Sequence, residues 1–176
     1  MTAMTDALQA IRKVRQTRRY APDPVDPEAL REILEVARWS GSAANRQPWH
    51  FVVVDDREQL RQLSEVRPEL SWVSSAPVAI ATVLAGDRKI TEAYDEGRVT
   101  ERIMIAAQLL GLGSAVAWYG GAAEQAKARE ILGAPEGSTT RALITIGHPA
   151  PGKQPTGVEG GRKPLDELVS RNRFGS

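Results

Sequence analysis

The sequence predicts one domain of the α/β or α+β class with about four central strands, on three observations. Short β-branched runs alternate with amphipathic helical stretches along the chain. The length, 176 residues, suits one core and is too short for two full ones. The composition, 41% apolar and 26% charged, is that of an ordinary globular protein. With no repeat and no composition break, residues 1–176 read as a single domain.

Each element has a local reason. Thr5 can cap a first helix whose Leu8, Ile11 and Val14 share a face, and the helical signal fades by Gln16. Asp26-Pro27 is a sharper start, with Asp as N-cap, Pro at the first helical position and Val25 set to staple against Leu30. Leu30, Ile33, Leu34 and Ala37 make its core stripe, and the helix should stop near Gly41. His50 to Val54, between Pro48 and Asp55-Asp56, reads as a strand buried on both faces, and Pro77 to Ala85 reads likewise. Between them Arg57 to Val66 is an exposed helix with Leu60 and Leu63 turned inward.

From Lys89 to Leu110 runs a long helix, polar at first and then apolar through Ile103, Ile105, Ala106, Leu109 and Leu110. A third strand is expected at Ser114 to Tyr119, a helix at Ala122 to Leu132 closed by Gly133, and a fourth strand at Arg141 to Ile146. Residues 147–164 form a loop with five glycines and four prolines, much longer than the usual connection. Such a loop is usually functional or reaches a partner.

Composition excludes several functions. Lys plus Arg (23) against Asp plus Glu (22) leaves a net charge of +1, too little to hold the chain on nucleic acid or an anionic membrane. Without cysteine there is no disulfide, thiolate zinc site or cysteine nucleophile. His50 and His148 lack ligand partners at metal spacing, so no metal is expected and each reads as a hydrogen-bonded structural histidine. No Gly-x-Ser-x-Gly elbow supplies a hydrolase nucleophile. Met1 to Asp6 has no signal-peptide pattern and no apolar run is long enough for a membrane helix, so a cytoplasmic location is expected.

Three segments carry candidate chemistry. Arg12, Lys13, Arg15, Arg18 and Arg19 crowd one stretch without an acid, and a phosphate suits the forked donors of Arg15 and Arg19 beside the Thr17 hydroxyl. The plainer reading of this stretch is a solvated basic arm. Ser40 to Trp49 is a small-residue loop in which Asn45 and Gln47 can each donate and accept, which suits the edge of a ring system or merely the loop's own backbone. Trp49 reads as core. Gly111-Leu112-Gly113, leading to Tyr119-Gly120-Gly121, brackets a strand whose exit turn exposes backbone N–H groups, but it is not the dinucleotide fingerprint.

The ordered set of motifs resembles the FMN-dependent nitroreductase family. It comprises Arg15-Gln16-Thr17-Arg18-Arg19-Tyr20, Ser42-Ala43-Ala44-Asn45-Arg46-Gln47-Pro48-Trp49, Ala76-Pro77, Gly111-Leu112-Gly113, Ile146-Gly147-His148-Pro149 and Arg162-Lys163-Pro164-Leu165. The resemblance runs from Ile11 to about Val169. It implies an α+β sandwich, a central mixed sheet of about four to five strands flanked by helices, in an intertwined homodimer with FMN between the subunits. By the same resemblance Arg15, Gln16, Thr17, Arg19 and Arg162 meet the phosphate, and Ser42, Ala43 and Asn45 reach the flavin from the other subunit. Tyr119, Gly120 and Gly121 face the ring near N5 through backbone N–H groups. The implied function is reduction of small oxidised acceptors, nitroaromatic, quinone or related, with NADH or NADPH, by hydride transfer through the flavin and with no protein acid or base.

This sequence departs from the family pattern in places. Gly41 and Ala117 stand where many members carry proline, Gly160 where some have a phosphate lysine, and Glu101-Arg102 where Gln-Asn is common. The middle of the chain is short where others carry a substrate-covering insertion. Two other readings remain open: a flavin-binding storage or biosynthetic-partner protein without turnover, and a nucleic-acid module using the basic opening.

Overall fold

The computed structural model describes residues 2–152, 154 and 161–175. Its elements follow the predicted alternation: α1 (Thr2–Lys13), α2 (Pro27–Arg38), β1 (Trp49–Val54), α3 (Arg57–Ser64), β2 (Val78–Leu84), α4 (Lys89–Leu109), β3 (Gly113–Trp118), α5 (Ala122–Ile131) and β4 (Thr139–Gly147). Short 3-10 turns cover Ala43–Asn45, Pro68–Ser75 and Leu165–Glu167.

The helices begin and end where local chemistry says they should. Asp26 caps α2 by accepting the Glu28 N–H, and Val25 and Leu30 pack on the core as the staple requires. Asp56 caps α3 through the Gln59 N–H, while Leu60 and Leu63 are fully buried, each burial worth roughly 2 kcal/mol. Gly133, at φ +62°, closes α5 in the left-handed conformation that glycine adopts without strain. The first helix differs from expectation. It starts at Thr2, so Thr5 lies inside it rather than capping it, and Leu8 and Ile11 are exposed rather than packed in this chain's core.

The four strands form one sheet in the order β1-β2-β4-β3, and all three pairings are antiparallel. The expected mixed character is confined to one parallel bridge, Gln16 to Ser114, along the outer edge of β3. β2 and β4 are central and buried on both faces; that is the burial expected for Pro77 to Ala85, and β4 shares it although Arg141 and its threonines interrupt the apolar residues. β1 departs from that reading because it is an edge strand, and most of its residues are partly exposed.

Two cores sit on the two faces of the sheet. On one, α2 and α4 supply Ile33, Ala37, Val99, Ile103 and Ala107 against Ile80, Ile144 and Ile146; Trp49 and Phe51 stack at the margin, as core residues. On the other, α3 and α5 supply Leu60, Leu63 and Ala128 against Ala79, Ala81 and Leu143.

α4 holds the largest surprise. Its polar first half is not solvent-facing, since Glu92, Asp95 and Glu96 are all buried. Each carboxylate accepts main-chain N–H groups from a neighbouring segment: Glu92 from Gly86 and Arg88, Asp95 from Ala43, Glu96 from Ala142. Glu96 also meets Arg141 at 3.3 Å. A register shift makes that pairing possible. Two residues of β4, Arg141 and Ala142, oppose the single Thr82 of β2, and such a bulge lets both reach the α4 side. The last turn also differs from expectation, with Leu109 and Leu110 exposed.

Among the described residues, no helix is long and apolar enough to cross a membrane.

Candidate functional site

The basic opening follows α1 as extended chain laid on the edge of β3. Thr17 N–H donates to the Ser114 carbonyl at 2.8 Å, and Gln16 Oε1 accepts the Val116 N–H at 3.0 Å. Together they cover an edge that would otherwise expose unpaired backbone groups. The approach is close because residue 113 is glycine: a Cβ there would come within 2.6 Å of the Thr17 side chain. Gly113→Ala should therefore push the opening outward and cost roughly 1–3 kcal/mol. Chemical denaturation checks it, and unchanged stability would mean that the opening is not seated on β3.

The donors of this segment are only partly used. Arg15 folds one guanidinium nitrogen, Nη1, onto the carbonyls of Arg12 and Val14 at the end of α1, both at 2.7 Å. Its Nε and Nη2 have no partner among the described residues, and neither does the Thr17 hydroxyl. Arg18 lies over the Trp72 ring, 5.5 Å from its centroid, and its Nε is buried without a partner. Gln154 shapes the turn, its Oε1 accepting the N–H groups of Arg18 and Arg19 and its Nε2 donating to the Arg19 carbonyl. Gln16 corrects the sequence reading in part, because its side-chain oxygen is spent on the sheet edge. Arg162 is exposed, with no hydrogen bond or ion pair among the described residues. The Gly160 position lies outside them.

The loop after α2 lies elsewhere. Ala44, Asn45 and Gln47 all adopt left-handed φ, near +50°, which non-glycine residues rarely do. The Ser42 hydroxyl accepts the Gln47 N–H, Ala43 N–H is held by Asp95, and Gln47 Nε2 reaches Asn45 Oδ1 at 3.3 Å. The Asn45 side-chain amide nitrogen has no partner among the described residues. Such strain collects at functional sites because surrounding contacts over-determine it.

The exit turn of β3 needs a correction. Tyr119 cannot face a ligand: its side chain is fully buried, its hydroxyl donates to the Leu63 carbonyl, and its N–H donates to the Arg141 carbonyl. Gly121 N–H is taken by Glu124. Gly120 N–H alone of the three is unpaired among the described residues. Arg67 holds this turn by donating to the Trp118 carbonyl at 2.8 Å while paired with Glu124. Neither His50 nor His148 makes the expected side-chain hydrogen bond among the described residues, and both are exposed.

The three segments do not converge within one chain. The register runs Trp49 to Leu84 to Thr139 at one end of the sheet, while Ser114, which carries the basic opening, pairs with Ile146 near the other. From Thr139 to Ile146 is roughly 20 Å along the strand, and the β1 and β3 edges are about 14 Å apart. The opening and the exit turn flank β3; the 42–47 loop sits diagonally across the sheet.

Sequence reasoning missed Arg67, Trp72, Gln154 and the buried acids of α4. For the first three no local signal exists, since each acts through residues distant in the chain. The acids did leave a signal: positions 92, 95, 96, 99, 103 and 106 continue one helical stripe.

A protein of Archaeoglobus fulgidus that carries the name NADH dehydrogenase/NAD(P)H nitroreductase is 36% identical over 155 residues, covering 83% of this chain and 87% of its own length. The chain belongs to the nitroreductase family. The family model, described as Nitroreductase family, matches residues 11–77, a span that includes both the basic opening and the 42–47 loop. A Thermus thermophilus protein named NADH dehydrogenase is 32% identical over 200 residues, covering 93% of this chain and 95% of its own. Among solved nitroreductases, an FMN-dependent one from Clostridium difficile matches with TM-score 0.85 and 26% identity, covering 95% of this chain and 99% of its own. A Desulfovibrio desulfuricans nitroreductase in complex with FMN matches with TM-score 0.80 and 29% identity, covering 96% and 97%. The α+β layering is that of these nitroreductases.

Proposed function

We propose that residues 1–176 form a single FMN-binding domain acting as an NAD(P)H-dependent oxidoreductase, which reduces small oxidised acceptors such as nitroaromatics or quinones. The observation that carries this reading is the unspent donor set along the β3 edge. At its start stand Arg15 Nε and Nη2 and the Thr17 hydroxyl; past its end stands the Gly120 N–H. Forked guanidinium donors beside a hydroxyl fit a phosphate, and a lone backbone N–H in a glycine turn fits an acceptor on a flat ring. An elongated cofactor with one anionic end suits that strip.

FMN, once bound, would supply the hydride chemistry between NAD(P)H and the acceptor. The protein's own work is to hold it. Arg15 and Arg19 would neutralise the phosphate and the Thr17 hydroxyl would donate to it, with Arg162 carried to the same site by the family resemblance. Gly120 N–H stabilises negative charge where it builds up on the ring, a fixed dipole that needs no reorganisation. No side-chain acid or base is required.

We further propose a homodimer with the flavin between subunits. Since the 42–47 loop and the basic opening of one chain lie at opposite ends of the sheet, both reach one flavin only if the loop comes from a second copy. The surface supports this. Ile90 and Tyr94 on α4 are 89% and 76% exposed, Leu8 and Ile11 on α1 are exposed, and Leu165, Leu168, Val169 and Phe174 project from the C-terminal segment. Apolar exposure on that scale marks a partner surface.

The absorption spectrum of the purified protein tests the cofactor: oxidised-flavin bands that bleach with NADH or NADPH are expected, and a colourless protein that takes up no FMN would refute the reading. Tyr94→Asp should place a charge in the subunit interface, halving the mass seen by light scattering and releasing the flavin. A mass equal to one chain for the wild type, with FMN still bound, would contradict the shared site.

A further inference from the structure

The 42–47 loop rests on an ion pair that the proposed chemistry does not itself use. Asp95 is buried in the first half of α4; its Oδ2 accepts the Ala43 N–H at 3.0 Å, and its Oδ1 lies 3.5 Å from Nη1 of Arg98, one turn further on. The Arg98 guanidinium in turn lies against Gly41. A Cβ built at Gly41 would overlap Arg98 Nη2, so the arginine fits there only because residue 41 has no side chain.

One buried carboxylate and one guanidinium thus reach two points of the loop, Gly41 and Ala43, immediately before the left-handed residues Ala44, Asn45 and Gln47. Left-handed backbone at non-glycine residues costs roughly 1 kcal/mol or more each and persists only where other contacts enforce it. Within the loop the enforcement is two backbone turn bonds, Asn45 N–H to Ser42 and Arg46 N–H to Ala43, with Ser42 Oγ accepting the Gln47 N–H and the Asn45 and Gln47 side chains touching; on its outer side Arg46 makes an exposed ion pair with Asp87. The anchor beneath is Asp95. Glu92 and Glu96 do similar work elsewhere on α4, but of the three acids only Asp95 bonds this loop.

We infer that the Asp95–Arg98 pair is a positioning device for the flavin-facing loop, fixing its strained backbone so that Asn45 is held in one orientation toward the ring. The inference rests on the reading that this loop meets the flavin. Asp95 and Arg98 are positioning residues: they act through Ala43 and Gly41.

Two variants disturb the pair by different routes. Arg98→Ala removes the guanidinium, and Gly41→Ala displaces it with a methyl group while leaving the core alone, since the guanidinium is the free end of a half-exposed side chain. Stopped-flow reduction of the FMN-loaded dimer by NADH or NADPH is the measurement, with FMN content, mass and thermal melting alongside. Each variant should slow flavin reduction by roughly tenfold. The double variant should be no slower than the slower single, because both remove one interaction. FMN content and dimer mass should stay at the wild-type level, and the wavelength of the flavin bands should shift with the rate.

Asn45→Ala separates the two layers of the argument. If it slows reduction while Arg98→Ala and Gly41→Ala do not, the loop meets the flavin and the positioning role is wrong. If all three reduce at the wild-type rate, the loop is not at the flavin and both ideas fall. A lowered melting temperature with an unchanged rate where every variant is folded, or dissociation to single chains, also overturns the positioning role.

Discussion

Replacing Arg15 and Arg19 together with alanine is expected to give a protein that folds and purifies without colour. Arg15 is exposed, and its contacts here are two carbonyls at the end of α1, so its loss disturbs little of the core. Arg19 is exposed as well, and its backbone N–H, which the substitution keeps, is held by Gln154. On the proposed reading, the double substitution takes two forked cations away from one phosphate. Charge-assisted hydrogen bonds of this kind weaken binding by roughly ten- to a hundredfold each when removed. Arg15→Lys keeps the charge without the planar fork and should fall between wild type and alanine. Flavin fluorescence on dilution gives the dissociation constants; full yellow occupancy with unchanged affinity would reject the phosphate assignment.

The second large effect concerns stability rather than binding. Glu96 is buried against α4's neighbours, and desolvation pushes its carboxyl up from 4.5 to about 7 although Arg141 beside it favours the charged form. In the unfolded chain the group returns to its ordinary value. The folded state therefore holds a proton between about pH 4.5 and 7 that the unfolded state does not, and the associated stability is present below 4.5 and is lost as pH rises through 7. Arg141→Met removes the cation that, among the described residues, meets this carboxylate at hydrogen-bond range, so the carboxyl stays protonated to still higher pH. Taking up a proton caps the penalty, so the extra loss relative to wild type is about 1.4 kcal/mol at pH 8 and grows by about as much for each further pH unit. At pH 5 Glu96 is neutral and the loss should nearly vanish. Urea unfolding at both values checks the sign, and an equal loss at pH 5 and pH 8 would show that Arg141 does not act through Glu96.

Much of the fold was legible because its signals are local. Asp26-Pro27 and Gly133 mark helix ends through contacts made within a few residues, and the apolar run of β2 announces a strand covered on both sides. β1 carries a similar run but sits at the sheet edge, and strand order depends on contacts that no local window contains. The bulge at Arg141 and Ala142 is invisible for the same reason. Leu8, Ile11, Leu109 and Leu110 carry apolar periodicity yet are exposed, because periodicity marks a face and not what covers it.

The site was legible as motifs more than as atoms. Arg15, Thr17 and the strained Asn45 loop stand out by residue type and spacing. Tyr119 and Gln16 were misjudged because a motif names a position and not which of its groups is already spent: the Tyr119 N–H closes the last rung with Arg141, and the Gln16 side chain completes the edge of β3.

Mixing two damaged chains shows whether the basic opening of one chain and the 42–47 loop of another grip the same flavin. Chains carrying Arg15→Ala/Arg19→Ala and chains carrying Asn45→Ala are co-expressed and assayed against each alone. If the site is shared, a mixed dimer has one site with every change and one with none, so random assembly should restore about a quarter of wild-type sites. If instead the mixture shows only the average of the two parents, each flavin is held by a single chain and the account is wrong.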